Sequence, residues 1–149
     1  MKDSLNIVVA GATGYIGLEL IKILSKHPRV NIQYLCATKS IGKSIYYFDK
    51  TLVKKDLPKI TKIDKVNWDD IDVLFTALPN GEAQKVAKNI PQHTKLIDLS
   101  ADFRLDDHKV YKKWYGIEHK SKKFIDKSIY AITEFSKNKL GKYKIISCP

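Results

Sequence analysis

Leu5-Asn6-Ile7-Val8-Val9-Ala10-Gly11-Ala12-Thr13-Gly14-Tyr15-Ile16-Gly17 joins a short apolar run to three evenly spaced glycines. The apolar run predicts a strand, and beyond the glycines Ile16, Leu20, Ile21, Ile23 and Leu24 recur at helical spacing until Pro28 stops the helix. Asn31-Ile32-Gln33-Tyr34-Leu35-Cys36-Ala37 then reads as a second strand. Strand, glycine turn, helix and strand form a βαβ unit of about thirty residues, and the right-handed crossover rule puts the helix on one face of a sheet.

The same alternation continues. Ile71-Asp72-Val73-Leu74-Phe75-Thr76 is a buried strand, closed by the turn Leu78-Pro79-Asn80-Gly81 and a short helix carrying Ala83, Val86 and Ala87. Lys95 to Leu99 is another strand, Asp106 to Tyr115 a polar helix or turn, and Lys144 to Cys148 a last strand. Between Thr38 and Asn67 the pattern weakens, and Leu57, Ile60 and Ile63 around Pro58 predict only short, edge-like pieces. These elements make an α/β chain built on a mostly parallel sheet. A strand at the C-terminus with no helix after it is an odd end for such a fold, so a fragment is expected.

With 149 residues, 44% hydrophobic and 29% charged, the chain has the composition of one globular domain. No apolar run approaches the roughly 20 residues of a membrane span. The one early apolar run is broken at Asn6 and ends in glycines, which argues against a secretory signal. Cys36 and Cys148 fit reduced, buried thiols, so a cytoplasmic location is expected. Nothing in the pattern calls for a metal.

The net charge of +11 comes from 27 basic against 16 acidic residues, and only Arg29 and Arg104 are arginines. Scattered lysines, with Lys120, Lys122, Lys123 and Lys127 as a solvated face, do not make a nucleic-acid reader, which favours clustered arginine and aromatic platforms. The charge favours a small anionic ligand instead.

A glycine turn that opens a helix is an anion site because the first helical amides are unpaired and the helix dipole is positive there. Gly11 permits the turn, Gly14 lets a pyrophosphate approach, and Gly17 lets helix and strand pack closely. Thr13 either donates its hydroxyl to the phosphate or caps the helix. The spacing G-x-x-G-x-x-G is one residue longer than the usual dinucleotide fingerprint, and a turn that only connects strand to helix is the competing reading. After the second strand, where an acidic residue would accept from the ribose of NAD, stand Thr38-Lys39-Ser40, with Lys43 nearby. A lysine between two hydroxyls suits the 2′-phosphate of NADP(H); a solvated loop lysine is the alternative.

Asp98 interrupts a buried strand at its carboxyl end, where ligands bind in open α/β sheets. It is read as a carboxylate that holds the following loop by accepting backbone amides. Arg104 either grips a carboxylate or phosphoryl group bidentately or pairs with Asp102 or Asp106 to pin the loop.

Gly11 to Gly17, Leu78-Pro79-Asn80-Gly81, Leu96-Ile97-Asp98-Leu99-Ser100-Ala101-Asp102-Phe103-Arg104-Leu105 and Tyr115-Gly116-Ile117-Glu118-His119 together resemble the N-acetyl-gamma-glutamyl-phosphate reductases of arginine biosynthesis. The resemblance covers the whole chain. The glycine turn is shared with aspartate-semialdehyde dehydrogenases, whereas the segment from Asp98 to Leu105 is more specific to the arginine-pathway enzymes. The resemblance implies a Rossmann-type, doubly wound domain with helices on both faces, spanning residues 1–149. It implies NADP-dependent reductive dephosphorylation of N-acetyl-glutamyl 5-phosphate to the 5-semialdehyde through a cysteine thioester. It also implies a cofactor site that includes Gly11, Thr13, Gly14, Tyr15, Ile16, Gly17, Thr38, Lys39, Ser40, Leu78 and Pro79, and places Ser100 and Arg104 on the acyl-phosphate substrate.

The family's nucleophile sits in a Pro-Gly-Cys-Tyr-Pro type motif, so it is expected just after Pro149, and Cys148 is not that residue. No catalytic residue is then expected in this chain. His119 is not the family's catalytic histidine, and the catalytic and oligomer-forming domain lies outside these residues; the full-length form is expected to be a homo-oligomer. Tyr130-Ala131-Ile132-Thr133-Glu134-Phe135 departs from the family's Tyr-Gly-Leu-Pro-Glu-Leu, which leaves the local turn open. An aspartate-semialdehyde dehydrogenase or lysine-pathway acyl-phosphate reductase is the nearest rival. A stand-alone nucleotide-binding regulatory module is the rival of another class.

Overall fold

Strand β1 (Leu5–Ala10) is buried from Ile7 to Ala10 because it has a parallel neighbour on either side. Both faces and both edges are covered, so its core-forming run is continuous rather than alternating. The computed structural model describes residues 3–52 and 56–149. It falls into two units, Met1–Ala77 and Leu78–Pro149, and the fold is of the parallel α/β, Rossmann type.

In the first unit α1 (Tyr15–Leu24) follows β1, and β2 (Val30–Cys36) follows α1. The helix stops before Pro28, with Ser25 as its C-cap. It buries Gly17, Ile21 and Leu24, one stripe at helical spacing, against Ile7, Val9, Ile32 and Leu35. Ile16 and Ile23, counted into the same stripe from sequence, are instead exposed. The weak stretch after β2 forms 3₁₀ turns at Ile45–Tyr47, Lys50–Leu52 and Ile63–Lys65 and one two-residue strand, β3 (Ile60–Thr61). Residues 53–55 of that stretch lie outside the described residues. Strand β4 (Val73–Thr76) completes the order β3-β2-β1-β4, so β3 is an edge, as Pro58 beside it predicts.

In the second unit α2 (Glu82–Ala87) leads to β5 (Lys95–Asp98), α3 (His108–Tyr115), β6 (Ser128–Tyr130), α4 (Thr133–Leu140) and β7 (Ile145–Ser147). Strand β7 pairs in parallel with both β5 and β6. The polar segment 106–115 is a helix because Asp107 caps it, its carboxylate accepting the amides of Lys109 and Val110. Gly116, at φ +70, ends that helix in the left-handed conformation. The departure at Ala131 and Thr133 needs no special backbone: Ala131 is buried, its amide donates to the Ser147 carbonyl, and neither residue has positive φ.

The charge is less diffuse than the lysine count suggests. Lys144 is buried, its ammonium donating to the carbonyls of Pro91, Gln92 and Thr94. Lys22 bridges Glu19 and Asp49 at 2.8 and 2.7 Å, which holds the Asp49 carboxyl down at about 2. Lys120, Lys122 and Lys123 are exposed, as expected of a solvated face, and with Lys88 they line an open cleft of about 730 Å³. No helix among the described residues is long and apolar enough to cross a membrane.

Candidate functional site

The glycine turn lies at the carboxyl end of β1. Gly11 adopts φ +87, and a Cβ there would stand 2.1 Å from the Ala77 carbonyl oxygen. A Cβ on Gly17 would stand 2.2 Å from the Gly11 carbonyl oxygen. The first and third glycines are therefore demanded by the protein's own backbone. Gly14 is different: its φ is −79, and a Cβ there would meet only the Gly11 oxygen at 3.4 Å, an ordinary contact. Among the described residues nothing requires glycine at this position, and the space beside it is open.

Gly14 is the N-cap of α1, and among the described residues no side chain accepts from the helix's first amides. No acidic residue stands in the first turn either. Of the two roles open to Thr13, capping is not the one the fold uses: the cap is Gly14, and Thr13, half-buried, keeps its hydroxyl clear of any protein partner among the described residues. Unpaired amides, the positive end of the dipole, a spare hydroxyl and a missing Cβ form an anion-binding constellation. Tyr15 and Ile16, 82% and 49% exposed, put apolar surface beside it.

The loop after β2 carries Thr38 and Lys39 exposed and Ser40 half-buried. Ser40 has φ +62, the one positive value among described non-glycine residues, and its carbonyl accepts the Lys43 amide at 3.2 Å. Left-handed backbone at a serine is strained, and such strain gathers where a loop must present groups to a ligand. Gly42, at φ +81, donates its amide to the Ile60 carbonyl and ties the loop to the edge strand.

In the second unit the segment after β5 forms a hydrogen-bonded frame. Asp98, fully buried, accepts the Ser100 amide on Oδ1 at 2.9 Å, which is the loop-holding role expected of it. Its carbonyl accepts the Cys148 amide at 2.8 Å. Arg104, half-buried, donates Nε–H to the Cys148 carbonyl at 3.1 Å. Among the described residues it makes no ion pair with Asp102 or Asp106, so the loop-pinning alternative is not what the fold uses. With Nε anchored on a carbonyl, the two Nη groups remain as a planar fork for an anion. Ser100 is buried, its Oγ accepts the Leu78 amide at 3.0 Å, and its hydroxyl proton stays available to a further acceptor. Leu78 is half-buried and Pro79 exposed.

Asp102 is the residue whose role the sequence conceals. It is fully buried and accepts the Gly81 amide at 2.7 Å, the Gln84 amide at 3.1 Å and the Tyr111 hydroxyl at 2.6 Å. The signal was present as a gap: Gly81, at the N-cap of α2, has no capping side chain, so a distant acceptor has to supply one. His119, also buried, stands with Nε2 2.8 Å from the Asp102 carbonyl while Nδ1 accepts the Ser121 amide at 3.3 Å. Those partners fit the neutral Nε2–H tautomer, and burial lowers the His119 pKa against the opposing pull of Asp102. His119 is framework.

Both cysteines are free. Burial pushes the Cys36 thiol up to about 12. Cys148, expected to be packed away, is only half-buried, yet burial also raises its pKa, against the opposing pull of Arg104. An activated nucleophile needs the reverse shift, so neither thiol fits that role.

The model of the semialdehyde dehydrogenase NAD-binding domain matches residues 6–143. The N-acetyl-gamma-glutamyl-phosphate reductase of Ehrlichia canis is 38% identical over the whole chain and 43% of its own length. A probable chloroplastic enzyme of that name from Oryza sativa is 32% identical over 99% of the chain and 35% of its own length. The chain thus spans less than half of these curated relatives. Aspartate semialdehyde dehydrogenase II from Vibrio cholerae superposes with a TM-score of 0.66 at 15% identity, over 98% of this chain and 42% of that one. The Candida albicans aspartate semialdehyde dehydrogenase with NADP superposes at 0.62 and 20% identity, over 97% of this chain and 42% of that one. The family model, matched from residue 6 to residue 143 on a parallel α/β fold, places this chain in the semialdehyde dehydrogenase NAD-binding domain family.

Proposed function

We propose that this chain supplies the NADP(H)-binding part of an N-acetyl-gamma-glutamyl-phosphate reductase, which reduces N-acetyl-glutamyl 5-phosphate to the 5-semialdehyde with release of phosphate. The carrying observation is the cradle at Gly14, an uncapped helix N-terminus whose glycine answers to no contact within the protein. The cofactor, when bound, supplies the hydride. In this reading Thr13 and the first amides of α1 hold the pyrophosphate, and Tyr15 and Ile16 cover it. Thr38, Lys39 and Ser40 take the 2′-phosphate, with Leu78 and Pro79 completing the cofactor site. The Arg104 fork and the Ser100 hydroxyl hold the substrate's anionic groups, and working as a homo-oligomer in a reducing cytoplasm belongs to the same reading. What supports the arginine-pathway substrate is the 38% and 32% identity to two such reductases.

The full-length protein tests it. Phosphate-dependent reduction of NADP⁺ is expected with N-acetyl-glutamate 5-semialdehyde at a kcat/KM at least about a hundredfold above that with aspartate 4-semialdehyde. The opposite preference transfers the assignment to the aspartate enzymes, and no turnover with either leaves a nucleotide-binding module. Cofactor choice is tested separately. Lys39→Glu is expected to weaken NADPH binding about tenfold, or 1.4 kcal/mol, by placing a carboxylate against the 2′-phosphate, while NADH affinity holds or improves. Unchanged NADPH affinity makes Lys39 a solvated loop lysine.

A further inference from the structure

The open cleft of the second unit is built from one short stretch, Glu118 to Lys123, and from Lys88, the C-cap of α2. Along that stretch burial alternates. His119 and Ser121 are buried, while Glu118, Lys120 and Lys122 are exposed, so one side of the segment is framework and the other faces the cleft. The framework side is pinned to α2 through one residue. Gln84, fully buried, accepts the Lys120 amide on Oε1 at 2.5 Å, and its carbonyl accepts the Ser121 hydroxyl at 2.7 Å. The Ser121 carbonyl in turn accepts the Phe124 amide at 2.9 Å, which carries the fixed backbone past Lys122 and Lys123. The lysine stems are flexible, but the backbone from which they rise is not free to spread them apart.

Charge in this cleft is one-sided. Glu118 is the one acid among the described residues that line it, and its carboxylate already binds Lys112, a lysine outside the lining, at 2.6 Å. Among the described residues Lys88, Lys120, Lys122 and Lys123 make no ion pair, whereas Lys22 and Lys85 elsewhere each hold a carboxylate. Lys123 and its neighbour Lys127 lie over the Phe124 ring, at 5.3 and 5.8 Å from its centre. Like charges gathered over one concavity focus the field there and concentrate counter-ions of the opposite sign.

We propose that this cleft binds a small polyvalent oxyanion, a molecule carrying a di- or triphosphate group, with Lys88, Lys120, Lys122 and Lys123 as its cationic contacts. The site lies within the second unit and does not depend on the cofactor reading above. The lysines set the chemical class. An ammonium group is a compact charge with rotatable donors, suited to phosphate oxygens and indifferent to the planar pairing that an arginine demands. Four of them on one face match an anion of several charges, and a single phosphate leaves most of that charge unanswered. A nucleic-acid strand is a poorer match, because the cleft has no arginine and the adjacent aromatic, Phe124, is half-buried with two ammonium groups over its ring.

Inorganic tripolyphosphate is the probe, measured by calorimetry on the chain at low ionic strength. Saturable binding is expected, with inorganic monophosphate at least about tenfold weaker and both affinities falling as salt is added. Lys120→Glu combined with Lys122→Glu is expected to weaken tripolyphosphate at least about tenfold. Both side chains are exposed, so the Tm is expected to hold. Lys137→Glu combined with Lys139→Glu, on exposed positions of α4, makes the same change in net charge and is expected to alter the affinity by less than about twofold. Gly14→Ala, which obstructs the glycine turn of the first unit, is expected to leave tripolyphosphate binding in place. Equal losses in the two lysine pairs make the attraction one of net charge and overturn the site. Binding that Gly14→Ala abolishes and the Lys120, Lys122 pair does not places the anion on the glycine turn, and the absence of saturable binding leaves the cleft a solvated face; either result overturns the proposal while the cofactor reading stands.

Discussion

Replacing Gly11 by alanine is expected to lower the unfolding free energy by about 3 kcal/mol, a fall in Tm on the order of 10 °C for a chain of this size. Two costs combine. The residue must hold φ +87, which a Cβ penalises by roughly 1–2 kcal/mol. The new Cβ would also stand 2.1 Å from the Ala77 carbonyl oxygen and 2.8 Å from its carbon. Those are backbone atoms of the residue that follows β4, held there by the bond from Ala77 N–H to the Ala10 carbonyl, and they have no rotamer to yield. Overpacking against such a wall adds about 1–3 kcal/mol.

Gly17→Ala is the useful companion. Helix propensity alone favours alanine by about 1 kcal/mol, but the Cβ would lie 2.2 Å from the Gly11 carbonyl oxygen and 3.1 Å from the Ala12 Cα. The clash outweighs the propensity, so this variant too is expected to lose stability, by less than Gly11→Ala. Thermal unfolding by circular dichroism measures both. A Gly11→Ala chain with unchanged Tm would mean that the turn does not hold this conformation.

What could be read from sequence follows from how far each signal reaches along the chain. The β1, glycine turn, α1, β2 unit was legible because its cues are local: an apolar run, glycines at fixed offsets, a helical stripe and a proline stop. The edge position of β3 was legible in part through Pro58. Strand β6 and helix α4 were not: β6 is three residues long, and α4 buries none of its residues, so neither leaves a period to detect. Lys144 looked like one lysine among many, because a cage of three carbonyls drawn from residues 91–94 exists only in the folded chain.

Within the candidate site the same distinction holds. Asp98 and Arg104 stood out by type and place, yet what Arg104 is anchored on, the carbonyl of Cys148, lies 44 positions away. Asp102 was visible only as one of two acidic neighbours of Arg104. Its real partners, Gly81, Gln84 and Tyr111, are 21, 18 and 9 positions distant, and their bonds remove it from Arg104 altogether.

Gly14→Ala should separate the two roles a glycine turn can play. Its φ of −79 suits any residue, and the added Cβ meets the Gly11 oxygen at 3.4 Å without strain. Alanine is a poorer N-cap than glycine, but that costs at most about 1 kcal/mol, so the Tm is expected to move by no more than about 4 °C. Affinity is another matter. The methyl group occupies the approach to amides that a pyrophosphate has to reach at hydrogen-bond distance, where about 0.3 Å of forced retreat weakens several charge-assisted bonds at once. NADPH binding is expected to fall at least about tenfold, with the fold and the Tm essentially kept. That dissociation is the opposite of what Gly11→Ala should give, where stability goes first. A Gly14→Ala chain that binds NADPH as tightly as its parent would reduce the turn to a connector between strand and helix, and the reductase assignment would lose the observation it stands on.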